Sequence, residues 1–104
     1  MAKVDYDEKF DILYIYKEGE KVKFSVEALN NFVINIGFNG KVVGLEILNA
    51  SKTLKVIKNE LKNIESAKIS TLIKNKMYGV IYSIQLEKAV LESELQLPAC
   101  VRAE

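Results

Sequence analysis

FVINIGFNGKVVGLEIL, residues 32–48, is the stretch on which the fold turns. Asn39-Gly40 lies between two alternating apolar runs. Asn-Gly favours the type I′ turn, whose positive φ angles match the twist of paired strands, so the pattern predicts a β-hairpin. A two-residue loop would place Phe38 opposite Lys41, Ile36 opposite Val43, Ile34 opposite Leu45 and Phe32 opposite Ile47. These pairs share one face and are almost all large and apolar, so that face is expected to be core. The other face pairs Gly37 with Val42, Asn35 with Gly44 and Val33 with Glu46. It is half polar, and its two glycines leave room for another side chain or backbone to approach.

Toward the N-terminus, ILYIYK (12–17) and KVKFSVE (21–27) read as strands around Glu18-Gly19-Glu20, preceded by a short strand at Lys3–Tyr6. Val22, Phe24 and Val26 alternate with lysines and serine, as in a half-buried strand. Toward the C-terminus, NASKTLKVIKNELKNIE (49–65) offers Asn49 or Ser51 as an N-cap and spaces Leu54, Ile57, Leu61 and Ile64 as one apolar stripe. That spacing predicts a single amphipathic helix over about 50–64. AKISTLIK (67–74) reads as a strand and NKMYG (75–79) as a hairpin loop. Val80, Tyr82, Ile84 and Leu86 then share a face, as do Leu91, Leu95 and Leu97, while Glu92, Glu94 and Gln96 point outward. Pro98 ends that strand, and LPACVRAE is expected to be a loose tail.

The expected class is α+β: about four strands in antiparallel hairpins, one helix, then a three-strand antiparallel meander over 67–98. A chain of 104 residues is expected to form one domain, 1–104, large enough to bury a core without disulfide or metal staples.

Composition narrows the chemistry. The chain has no histidine, no tryptophan and one cysteine, Cys100. Without histidine there is no Ser-His-Asp or Cys-His triad, and the common zinc sites cannot be assembled. No internal disulfide is possible, which fits a reducing cytoplasm. Charge follows Met1 where a signal peptide needs an apolar run, and no apolar stretch is long enough to span a bilayer, so neither a leader nor a membrane span is expected. Charge is uneven along the chain. Residues 1–49 hold six lysines against eight acids, residues 50–76 seven lysines against two, and residues 77–104 two basic residues against four acids. The middle third is a basic island.

The opening YDEKFDILYIY and the hairpin close GKVVGLEILNASK together resemble the domain of unknown function family numbered 2283. The resemblance covers roughly residues 4–52 and rests on Tyr6, Asp7, Asp11, Leu13, Tyr14 and Ile15, then on Gly40, Val42, Val43, Gly44, Glu46, Ile47, Leu48, Ala50 and Ser51. Leu45 stands where the family usually has isoleucine, and Asn49 where it often has aspartate. The C-terminal strands look like an extension. The resemblance implies a hairpin-rich fold with a following helix and no established activity. Family members are similar to small prokaryotic proteins often encoded beside toxin-like ribonuclease-fold partners, which implies an antitoxin-like or partner-binding role.

Three groups of residues are candidates for function. The carboxylates Asp5, Asp7, Glu8 and Asp11 do not fit a calcium loop, because Lys9, Phe10 and Tyr16 occupy positions where that loop needs an oxygen, a glycine and a glutamate. Asp7 and Asp11 are expected to accept hydrogen bonds from nearby backbone and hold a turn, with Tyr6 and Tyr14 packed as an aromatic pair. Glu46 is expected to be solvated or bonded to a hydroxyl such as that of Tyr14; clustered with Asp7 or Asp11 it would make an acid–base or metal site. Lys55, Lys58 and Lys62, with Lys52, Lys68, Lys74 and Lys76 nearby, could face phosphates, although no arginine or helix aromatic accompanies them. Glycines 37, 40 and 44 sit in a hairpin and not in a phosphate loop. The expected function is therefore a non-catalytic protein-interaction or self-associating module, a homodimer by edge pairing or a binder of a protein partner, with no cofactor. The alternatives are nucleic-acid binding through the lysines and a metal-assisted enzyme using Asp7, Asp11 and Glu46.

Overall fold

The computed structural model describes residues 2–74 and 77–96. Ten elements follow in order: β1 (Lys3–Asp7), β2 (Ile12–Tyr16), β3 (Val22–Ala28), β4 (Phe32–Gly37), β5 (Val42–Ile47), α1 (Ala50–Leu54), α2 (Lys58–Lys62), β6 (Ser66–Lys74), β7 (Met77–Gln85) and β8 (Val90–Gln96). The α+β class, the antiparallel hairpins and the C-terminal meander are all present. The N-terminal sheet has five strands in the order β1-β2-β5-β4-β3, and β6-β7-β8 form a separate three-stranded sheet. Of the loop expected at 75–79, Met77, Tyr78 and Gly79 instead belong to β7, where alternation continues the strand and they pair with Lys74, Ile73 and Leu72; residues 75–76, and Leu97, Pro98 and Cys100 with the expected tail, lie outside the described residues.

The central hairpin reaches its expected register by an unexpected route. Ile34 pairs with Leu45 and Phe32 with Ile47, but Ile36 pairs with Val42 instead of Val43. At the tip, Gly40 N–H donates to the Gly37 carbonyl (3.0 Å), Gly37 N–H donates to the Lys41 carbonyl (2.8 Å), and Gly40 alone in the loop has positive φ, +81°. The loop is therefore the three-residue kind, in which a glycine follows an ordinary turn, and not a type I′ pair. It shifts the tip by one residue, and a β-bulge between Asn35 and Ile36 shifts it back. Val42 then faces the core, while Val43 is buried against Gly37, where an added Cβ would lie 2.8 Å from Val43 Cγ1. The Val42 N–H donates to Thr71 Oγ1 of β6 (2.8 Å), so the bulge leaves no buried donor unpaired there.

β2 and β3 are adjacent in sequence but three strand positions apart in the sheet. Crossing that distance needs roughly 14 Å at about 4.8 Å per strand, within reach of the five connecting residues 17–21 in extended form. β5 thus enters beside β2, with Leu13 opposite Ile47 and Tyr14 opposite Glu46. The order is a Greek key read in the reverse chain direction.

The helix expected over 50–64 is broken in two. Lys55 takes a left-handed conformation (φ +59°) and ends α1, and Ile57 N–H, donating to Glu60 Oε1 (3.3 Å), starts α2. The break costs the predicted stripe one member, since Ile57 is 65% exposed while Leu61 is fully buried. The second sheet lies on the apolar face of the first. Leu13, Ile15, Phe32, Ile34, Leu45 and Ile47 share one cluster with Ala67, Ile69, Val80, Tyr82, Ile84 and Leu95. Phe32 and Tyr82 meet with ring centroids 6.1 Å apart, and Ala2 N–H donates to the Ala67 carbonyl (3.3 Å), tying the β1 side of one sheet to β6 of the other.

Candidate functional site

Asp11 sits at the start of β2 with φ +56°, a conformation that aspartate tolerates better than most residues. Because β2 and β5 are antiparallel neighbours, the start of one meets the end of the other. Asp11 accepts from the Tyr6 hydroxyl at Oδ1 (2.6 Å), from the Ser51 hydroxyl at Oδ2 (2.7 Å) and from the Ser51 N–H (3.1 Å to Oδ1). Its carbonyl takes the Ala50 N–H (2.8 Å). Asp11 thus caps α1 across the sheet, and Asn49, the expected cap, makes no side-chain cap bond. The expected local turn role holds for Asp7, which accepts from Phe10 N–H (3.1 Å); the partners of Asp11 are Tyr6 and a residue 40 positions away. Burial pushes the Asp11 carboxyl up, but the bonds from Tyr6 and Ser51 and the charge of Lys58 outweigh it and hold it below the usual range. Burial, then the bond to Asp11, pushes the Tyr6 phenol well above its ordinary value.

The second locus is the face of the five-stranded sheet turned away from β6–β8. Its register brings Tyr14, Tyr16, Ser25, Val33, Asn35, Gly44 and Glu46 together. Tyr14 stacks on Tyr16, centroids 4.7 Å apart and rings 19° from parallel. Tyr6 points to the other face, so the expected Tyr6–Tyr14 pair is replaced by Tyr14–Tyr16. The glycine gap is filled by Tyr14: a Cβ on Gly44 would lie 2.9 Å from Asn35 Nδ2 and 3.1 Å from Tyr14 Cε1. Ser25 donates to Asn35 Oδ1 (2.6 Å), and Asn35 Nδ2 donates to Glu46 Oε2 (3.3 Å). Burial raises the Tyr14 phenol, opposed by the Asn35 amide and helped by the Glu46 charge.

The carboxylates named from sequence do not converge. Asp11 turns toward Ser51, Glu46 lies on the open face, Asp7 holds its own turn, and among the described residues no group of three acids, cysteines or histidines is placed to hold a metal. The lysines are also separated. Lys55 lies in the break, while Lys58 and Lys62 on α2 both reach Glu8, one donating to its carbonyl (3.3 Å) and the other pairing with its carboxylate (3.2 Å). Sequence reasoning passed over Ser25, Asn35 and Tyr16. The available signal was Asn35 alternating onto the glycine face of a hairpin, where a buried amide needs partners.

Both loci lie within the stretch, residues 3–51, that matches the family described as Protein of unknown function (DUF2283). An uncharacterized protein of Methanocaldococcus jannaschii is 49% identical over 64 residues, 61% of this chain and 54% of that protein. A Methanosarcina mazei protein named "Putative hypoxanthine phosphoribosyltransferase" is 31% identical over 65 residues, 62% of this chain and 52% of that protein. The chain thus spans about half the length of the curated relatives it matches. No solved structure matches significantly. The C-terminal sheet, β6–β8, lies beyond the family match.

Proposed function

We propose that this chain, whose residues 3–51 carry the DUF2283 pattern, is a non-catalytic protein-interaction module that binds by strand addition to its five-stranded sheet. The observation that carries this reading is the edge at β3. Among the described residues β3 pairs only with β4, so one row of its backbone groups has no ladder partner there, and Phe24 and Val26 stay half-buried on its apolar side. An edge with unpaired donors and acceptors and unfinished apolar burial is a template for another strand. The polar groups that could support chemistry are engaged elsewhere: Asp11 in capping, Asn35 in bonding Ser25 and Glu46. The phosphoribosyltransferase name belongs to a relative matched over half its length, and among the described residues no glycine-rich strand-to-helix loop supports its transfer. Nucleic-acid binding is disfavoured because Lys58 and Lys62 are tied to Glu8. The lone cysteine fits action in a reducing cytoplasm.

Hydrogen exchange on the full chain tests the reading. When the chain is associated, with itself or with a captured protein, the outward amides of β3 are expected to become protected. A strict monomer that retains no protein from its source lysate, with β3 amides freely exchanging, overturns it.

A further inference from the structure

β3 reads VKFSVEA, and its charges are complementary to a reversed copy of themselves. We infer that the strand added at β3 is β3 of a second copy, antiparallel about a two-fold axis through Ser25, an inference that rests on the strand-addition reading above.

A two-fold axis perpendicular to a continuous sheet keeps each residue on its own face, so facing residue numbers sum to an even value. Centring on Ser25 sets Lys23 opposite Glu27 of the second copy, twice, on the open face, and Phe24 opposite Val26, twice, on the apolar face. All four charged side chains are exposed, and among the described residues neither Lys23 nor Glu27 takes part in an intrachain ion pair. The apolar pairs would extend burial of the two half-exposed members of β3. Moving the axis by one residue loses this match. Centred on Phe24, Lys23 would face Ser25; centred on Val26, Lys23 would face Leu29 and Glu27 would face Ser25. Opposite charges placed directly across an antiparallel pair favour one register, and apolar cross-strand pairs add to it.

Two further features fit a closed dimer and not an open stack. The β-bulge between Val22 and Phe24 makes Lys23 the last position of the edge segment, so pairing with the second copy would end at the Lys23–Glu27 pairs. On the opposite side of the sheet, the residue that leads into β1 is already bonded to β6, Ala2 N–H to the Ala67 carbonyl. One two-fold contact therefore exhausts β3.

The test uses the full chain with Cys100→Ser and reads dimerisation by sedimentation equilibrium. Wild-type protein is expected to dimerise. Lys23→Glu turns two attractive pairs into two repulsive ones and is expected to weaken the dimer about tenfold or more. Lys23→Glu with Glu27→Lys restores opposite charges and is expected to recover most of the affinity. Ser25→Cys, at the axis, is expected to form an intermolecular disulfide on mild oxidation, which does not depend on the charge variants folding well. A dimer indifferent to Lys23→Glu and not cross-linked through Ser25→Cys overturns this inference. A monomer whose β3 amides are protected only by a different protein also overturns it, while leaving strand addition standing. A monomer with freely exchanging β3 amides and no retained partner overturns both.

Discussion

At Asp11 a single carboxylate joins three parts of the chain: the turn it closes, Tyr6 of β1 and the first turn of α1. Charged acceptors make stronger hydrogen bonds than neutral ones, and stranding buried donors costs more than the bond itself yields. Asp11→Ala is expected to destabilise the protein by about 3 kcal/mol, and Asp11→Asn by less, since asparagine tolerates the left-handed backbone and keeps one acceptor. Urea denaturation of both variants checks the order. The pH dependence has a definite sign. The folded Asp11 carboxyl lies below its ordinary value of 3.8, so its contribution is present above that value and is lost as pH falls through the folded value. Asp11→Asn should therefore flatten the acid limb of the stability profile relative to wild type. The presence of an important aspartate was legible in the sequence. Its partner was not, because Ser51 reaches it only once β5 has entered the sheet beside β2.

Among the elements, the broken helix shows where periodicity misleads. Leu54, Ile57, Leu61 and Ile64 keep helical spacing in the sequence, yet α1 ends at the left-handed Lys55 and the stripe is not formed. α2 instead sets Leu61 into the core and brings Lys58 and Lys62 to Glu8. Local propensity is a weak preference that tertiary burial overrides. The break is paid for with a lysine in left-handed backbone, a position that usually holds glycine after a helix. Lys55→Gly is expected to raise stability by about 1 kcal/mol, read as a higher Tm; a lower Tm would mean that the lysine stem contributes packing of its own. The central hairpin shows the opposite case. The loop is not the expected type I′ pair, but a bulge that the sequence pattern does not signal cancels its shift, and the Ile34–Leu45 and Phe32–Ile47 pairs stand. Register away from the tip is set by which side chains must be buried, a stronger constraint than the turn.

Across the whole molecule, two sheets share one apolar cluster, so neither has a core of its own. Leu45 in the first sheet and Val80 in the second are both fully buried. Truncating either to alanine is expected to cost about 2–4 kcal/mol, with both sheets still unfolding in one transition. Hydrogen exchange across β4, β5 and β7 in each variant checks this; loss of protection in only one sheet would show two independent units. The same packing explains the surfaces left over. β6–β8 cover one face of the five-stranded sheet, leaving the Tyr14–Tyr16 face and the β3 edge open.

What the sequence determined alone was local or periodic: antiparallel hairpins, the apolar face of β4 and β5, the family resemblance over roughly residues 4–52 and the lack of histidine chemistry. These follow from alternation and composition, which depend only on near neighbours and residue type. What only the tertiary structure decided was non-local. β3 lies at the far edge, Asp11 caps a distant helix, the helix is cut in two, and the C-terminal strands form a second sheet over the first. Each depends on which strand lies beside which, and that is settled by burying all the apolar faces in one core, a condition no single window of sequence contains.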